Sequence, residues 1–247
     1  LDTLIEYHQS IHSVESLLTD YFQKSYSMSM IGKFDEAIDI VTHKLSSDRN
    51  KPQAYHSKLS RLSQLYLEAG LYEKALIICD SAYQFLLTAQ QYDSLLINQL
   101  AWAEFQPALI SKILYYLSME INAEILGNRK EQDTFKILGI LNRFDLFNSG
   151  LVYLQERNFS LEGKISQEIK FYPLYENVMH LAAETWKLNG DDRYVNFILN
   201  WSDAHKSIAL RNSIYQKATI EQDEPQSLGF KFLEMQKSSE LTHHYKR

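Results

Sequence analysis

The chain has 247 residues, 45% of them hydrophobic and 13% aromatic, with a formal net charge of −6. That charge argues against a nucleic-acid module, which needs a basic face for phosphate contacts, and a single cysteine excludes an internal disulfide framework. Eight glycines and four prolines are too few for the turns of an all-β fold, so an all-α chain is predicted.

At the N-terminus no basic-then-apolar leader precedes the first helix pattern, and the chain opens on Leu1. A signal peptide is expected to be absent or removed, and the chain is read as part of a longer, cytoplasmic product. His8 and His12 stand four apart, with Glu15 close to the same row. A zinc-protease motif would need glutamate directly after the first histidine, where Gln9 stands, so a solvated helix face is predicted.

Two segments then share one register: Gly32-Lys33-Phe34-Asp35-Glu36-Ala37 and Gly70-Leu71-Tyr72-Glu73-Lys74-Ala75, their glycines 70 − 32 = 38 residues apart. Each gives a turn glycine, an aromatic, an acid and a small alanine. An apolar stripe at helical spacing follows each, Ile38, Val41 and Leu45 in the first and Leu76, Cys79 and Tyr83 in the second. Ahead of Gly70 lies a first helix with Leu59, Leu62, Leu65, Tyr66 and Ala69, its end marked by a glycine suited to a left-handed cap. Ahead of Gly32, Tyr21 and Met28 hold core positions, while Lys24 and Ser25 depart from the pattern. The pattern resembles the turn and second helix of a tetratricopeptide repeat. It implies helical hairpins stacked in a right-handed superhelix over residues 1–220, about four in all.

A third hairpin is expected from Pro107 through Ile113, Tyr116, Leu117 and Ile121 to a turn at Gly127-Asn128, with Phe135, Leu138, Leu141 and Phe144 on its second helix. Glu120 breaks the frame there, because a small residue belongs at that position. No membrane span is predicted, since the apolar run from Ile110 to Ile125 carries Lys112, Glu120 and Glu124. Arg157 to Ile169 is expected to be a loop. The fourth hairpin has Ala183 as its small residue, Trp186 as its aromatic and Gly190-Asp191 as its turn. A long helix with Tyr194, Phe197, Trp201, Ala204 and Ile208 follows. Residues 221–247 are predicted to be an acidic linker, Glu221 to Pro225, and a C-terminal helix with Leu228, Phe232, Met235 and Leu241. That helix would lead towards a further domain and could form a homodimer contact.

Tyr172-Pro173-Leu174-Tyr175-Glu176, Asn189-Gly190-Asp191-Asp192-Arg193-Tyr194 and the stretch from Trp201 to Leu210 are similar to the repeat region that precedes the caspase-like peptidase domain of bacterial CHAT proteins. In that family the first phrase opens a helix. Asn189 replaces the family's threonine, and His205-Lys206-Ser207 replaces its serine-lysine-alanine. The resemblance implies a sensor or scaffold array that regulates a downstream peptidase on the same polypeptide. The family's catalytic histidine and cysteine belong to that downstream domain and have no matching positions here.

The residues themselves imply no catalytic, metal or cofactor site. Cys79 lies on an apolar stripe and is expected to pack, as buried cysteines do; Asp191-Asp192 is expected to cap a helix; Tyr194, Phe197 and Trp201 are expected to be core; His243-His244 reads as a tail. No glycine-rich phosphate loop and no nucleophile elbow occurs. Function is therefore placed on the concave, first-helix surface, lined by Thr19, Phe22 and Tyr26, by Ser57, Ser60 and Gln64, and by Asn177, His180 and Glu184, with a protein or peptide as ligand. Two alternatives are a peptide-binding receptor of the helical-repeat signalling kind and, more remotely, an enzyme using Glu176 or Glu184 as an acid.

Overall fold

The computed structural model describes residues 14–44, 51–128, 133–158 and 161–201, with Asp2 and Ile5. Among these the fold is all-α, with nine helices packed mostly in chain order: α1 Val14–Met30, α2 Phe34–Lys44, α3 Pro52–Glu68, α4 Tyr72–Leu86, α5 Ala89–Leu96, α6 Pro107–Asn128, α7 Thr134–Asn158, α8 Leu161–Asn189 and α9 over 192–201. A single 3-10 turn, Trp102–Glu104, precedes α6. The histidines His8, His12, His243 and His244, Leu45, Ala204, Ile208 and the 221–247 segment lie outside the described residues.

The two matched glycines stop their helices in the same way. At Gly32 (φ 78°) its own N–H donates to the Ser29 carbonyl (3.0 Å) and the Lys33 N–H donates to Met28 (2.9 Å). At Gly70 (φ 72°) the N–H donates to Leu67 (3.1 Å) and that of Leu71 donates to Tyr66 (2.8 Å). Both are Schellman caps, in which a left-handed residue lets two trailing amides satisfy the orphan carbonyls of the last turn. Five residues after each glycine, Ala37 and Ala75 are fully buried. The chain therefore reverses twice in one geometry, and each following helix lies back on the one before it.

Packing runs between neighbours in the chain and also between alternate helices. Besides α1–α2, α2–α3, α3–α4, α6–α7 and α7–α8, there are contacts α1–α3, α3–α6 and α6–α8, and the most extensive contact is α4–α6. The helices α1, α3, α6 and α8 thus form one row. The α1–α3 end has a small core of Tyr21, Ala37, Val41, Leu62 and Leu65. The rest of the molecule shares a larger core, in which Phe144 meets Tyr175 (4.9 Å between ring centroids), Trp201 (5.6 Å), Phe197 (5.9 Å) and Phe147 (6.2 Å). The aromatic row Tyr194, Phe197 and Trp201 packs into this core as predicted.

Several expectations are corrected. Where a loop was expected over 157–169, the described residues are helical: α7 continues to Asn158 and α8 begins at Leu161. Leu161, Ile165 and Ile169 recur at four-residue spacing, a helical period among polar neighbours. Pro173 consequently stands inside α8 instead of opening a helix. Gly127 belongs to the last turn of α6, where it lies against Tyr72, so the chain does not turn at Gly127-Asn128. Phe135 is 87% exposed, because the buried stripe of α7 runs Ile137, Ile140, Leu141, Phe144. In α8 the fully buried small residue is Ala182 rather than Ala183, and Trp186 is exposed.

Between α4 and α6 the chain inserts α5 and the 3-10 turn, which account for the wide spacing between Gly70 and Gly127. Thr88 and Gln91 form a reciprocal capping box that starts α5, a threonine-x-x-glutamine signature readable in the sequence. Trp102 is buried beyond it, its Nε1 donating to Ser149 Oγ (3.0 Å). Gly150 admits that ring: a Cβ there would stand 2.6 Å from two of its carbons.

Candidate functional site

The residues expected to line a groove fall on α1, α3 and α8, all members of the row. Thr19 is exposed and Phe22 half-buried beside the small core. Tyr26 is half exposed and lies under the guanidinium of Arg61 on α3, 5.5 Å from its ring centre. On α3 the Ser60 carbonyl accepts from Tyr115 of α6 (3.1 Å), and Lys170 of α8 stands over the Tyr115 ring at 5.7 Å. Asn177 Nδ2 donates to Asn122 Oδ1 (3.1 Å), joining α8 to α6. Gln64 bonds Glu68 within α3, and His180 pairs with Glu184 (3.3 Å) within α8. Ser57 is half-buried on α3. Tyr26, Ser60 and Asn177 are therefore tied across helices, whereas Gln64, His180 and Glu184 bond only along their own.

Arg61 anchors the start of this row. It is almost wholly buried, and its Nε donates to Ser25 Oγ (3.1 Å) while Nη2 donates to the Ser25 carbonyl (3.2 Å) and Ser29 Oγ (2.8 Å). The serine that departs from the repeat pattern is the residue this guanidinium requires. At the next junction His56 Nδ1 lies 2.9 Å from the Tyr116 hydroxyl, and burial with nearby Lys112 holds its imidazole below the usual range.

A second feature was not expected. A cavity of about 700 Å³ opens between the first turn of α4, the last turns of α6 and the first half of α7. It lies where α4 and α7 make no extensive contact with each other, since both pack instead on α6. Its apolar wall includes Leu71, Tyr72, Leu76 and Ile140. Gly139 faces open space, with nothing within 4 Å of where a Cβ would be. The buried Asn128 amide at the end of α6 has no hydrogen-bond partner in the structure.

Glu120, which breaks the repeat frame, organises the polar side of this region. It accepts from the Tyr83 hydroxyl through Oε2 (2.8 Å), and its Oε1 is in direct contact with Arg143 Nη1. The same Nη1 lies 3.7 Å from Glu124, one helical turn on. Arg143 is closer to Glu120, so burial dominates at Glu124 and pushes its carboxyl from an ordinary 4.5 to about 7. Cys79 is buried beside this network, and desolvation pushes its thiol up to about 12, far from a reactive thiolate at neutral pH. Asp191 caps α9, accepting from the Arg193 N–H at 3.0 Å.

No family model, curated protein or solved structure matches this chain. Among the described residues no cluster of three or more histidine, cysteine, aspartate or glutamate side chains could hold a metal ion, and no helix is long and apolar enough to cross a membrane. The position of Glu120 was the available sequence signal for this network: a carboxylate in a seam of small and apolar residues needs a partner, and Arg143 of α7 supplies it.

Proposed function

We propose that this chain is a protein-binding scaffold of tetratricopeptide type, its hairpins stacked in a superhelix, and that it forms the regulatory part of a CHAT-type cysteine peptidase protein. The observation that carries the binding reading is the row α1, α3, α6 and α8. These helices are bonded side to side through Arg61, Tyr115 and Asn177, and they hold Tyr26, Lys170, His180 and Glu184 outward on a rigid support. A side chain displayed on helices keeps its position better than one on a loop, which suits recognition of an extended protein segment. The peptidase part rests on the phrases at 172–176, 189–194 and 201–210.

Selection of displayed peptides against the full chain tests the first part. Peptides are expected to be enriched and to lose at least about tenfold in affinity with Tyr26→Ala or His180→Ala, the loss of a single anchor of more than about 1.4 kcal/mol. Failure to enrich any peptide, or binding indifferent to these changes, would refute it. The coding sequence after Arg247 tests the second part: a strand-rich domain with one histidine and one cysteine is expected, and a stop codon would remove the peptidase reading.

A further inference from the structure

The cavity between α4, α6 and α7 lies apart from the row and calls for a different ligand. On its inner side it is lined by Arg143 and Glu124, with Glu120 bound to Arg143 behind the lining, so one guanidinium serves two carboxyls. Arg143 is committed to Glu120, whose other oxygen is taken by Tyr83. Glu124 is left with the 3.7 Å approach to Arg143 and no hydrogen bond, its side chain 28% exposed to the open space. If both carboxyls ionise, this group of three side chains carries one surplus negative charge in a partly desolvated place, which is costly unless a cation answers it.

The other charged groups do not supply that cation. On α4, Lys74 stands over the Tyr66 ring at 5.7 Å, Glu73 adds a further negative charge at the exposed rim, and Tyr83 and Cys79 are neutral. On α7, Lys136 is exposed at the rim and has its own interaction. The helices α3 and α8, also packed on α6, contribute no residue to the wall. In the free protein the proton held by Glu124 serves in place of a cation.

We infer that this cavity binds a cationic nitrogen on an apolar stem, an alkylamine or the lysine side chain of a protein segment, with the ammonium on Glu124 and the stem against Leu76 and Ile140. The volume lies within the range of small-ligand sites, and Gly139 leaves room for the stem. Because the ammonium replaces a proton on Glu124, binding releases that proton and strengthens as pH rises through 7.

The experiment titrates the full chain with hexylamine, hexanol, hexanoate and the peptide acetyl-Leu-Lys-Leu-amide, followed by NMR shifts of the Leu and Ile methyl groups. Hexylamine is expected to bind about tenfold more tightly at pH 8 than at pH 6, the ratio of ionised Glu124 for a group titrating near 7, and to exceed both hexanol and hexanoate at pH 8. Glu124→Gln should abolish the pH dependence and the preference for amine, and Gly139→Leu, a favourable helix residue that fills the space, should abolish binding. Tighter binding of the peptide than of hexylamine would assign the site to a protein lysine, and the reverse to a free amine. Hexanoate binding as well as hexylamine, an unaltered amine affinity in Glu124→Gln, or no methyl shifts with any probe would overturn the assignment. None of these outcomes depends on Tyr26 or His180, so they leave the peptide-binding row to its own test.

Discussion

The two ends of the molecule solve the same packing problem with different chemistry. Where α1 meets α3, a buried guanidinium, Ser25 and Ser29 share the junction, and the neighbouring Lys58 reaches back to the Thr42 carbonyl of α2 (2.7 Å). Where α7 and α8 meet α9, four aromatic rings surround Phe144, and the polar bonds are few: the Tyr175 hydroxyl donates to Asn148, and Trp201 Nε1 donates to Asp145 (3.1 Å) at the edge. Polar bonds fix register but return little net free energy, since each replaces a bond to water. Aromatic burial returns more and tolerates small shifts. The first junction is therefore the more specific of the two and the second the more stable.

The largest way to break that contrast is Phe144→Ala, which should cost about 3–5 kcal/mol, the usual loss for a fully buried phenylalanine. Urea denaturation is the measure, and amide exchange should rise across α7, α8 and α9 together. Arg61→Ala should cost less, about 1.5–3 kcal/mol, for hydrogen bonds to a charged group. Its amide exchange should be confined to α1 and α2, and exchange that also rises in α9 would erase the distinction between the ends. Gly70→Ala and Gly32→Ala should each cost about 1–2 kcal/mol, the strain of a left-handed residue with a Cβ. Equal losses at the two sites would show that the shared caps are indifferent to the core behind them.

The remaining effect is electrostatic. The folded state raises the Glu124 carboxyl from about 4.5 to about 7, so it holds the proton more tightly than the unfolded chain does. Its contribution is fully present below about pH 4.5 and is lost as pH rises to 7, beyond which it is constant. Wild type should lose more stability than Glu124→Gln between pH 5 and pH 8 in parallel urea melts; matching slopes would contradict the desolvation of this carboxyl.

The helical class and the first two hairpins were legible because glycine, alanine and the apolar stripe all act locally: a cap needs its glycine at one place, and a close helix contact needs its alanine. What escaped was non-local or masked by composition. The α8 start was hidden by Glu162, Gly163, Lys164 and Gln167, which dilute a helical period carried by three apolar residues. Phe135 looked like core because one helical period fits several offsets, and only packing selected the stripe that starts at Ile137. The cavity was illegible because it is the space left between α4 and α7, two helices that share a neighbour without extensive contact of their own, and no run of residues encodes a gap. Glu120, an acid where the pattern wanted a small side chain, pointed only to the polar network with Arg143 and Tyr83.

Ile78 packs against both the small core and the large one, and among the described residues it is the only partly buried side chain that flanks both. The two cores therefore adjoin along α3 and α4, with Leu59 of α3 in the large one and Leu62 and Leu65 of α3 in the small one. Mechanical or thermal stress is expected to free α1 and α2 first, because they pack extensively only on each other and on α3, while α6 to α9 keep their fold. A partner that grips both cores would tie that arm down, and ligand occupancy would then be felt as stiffness along the row of helices.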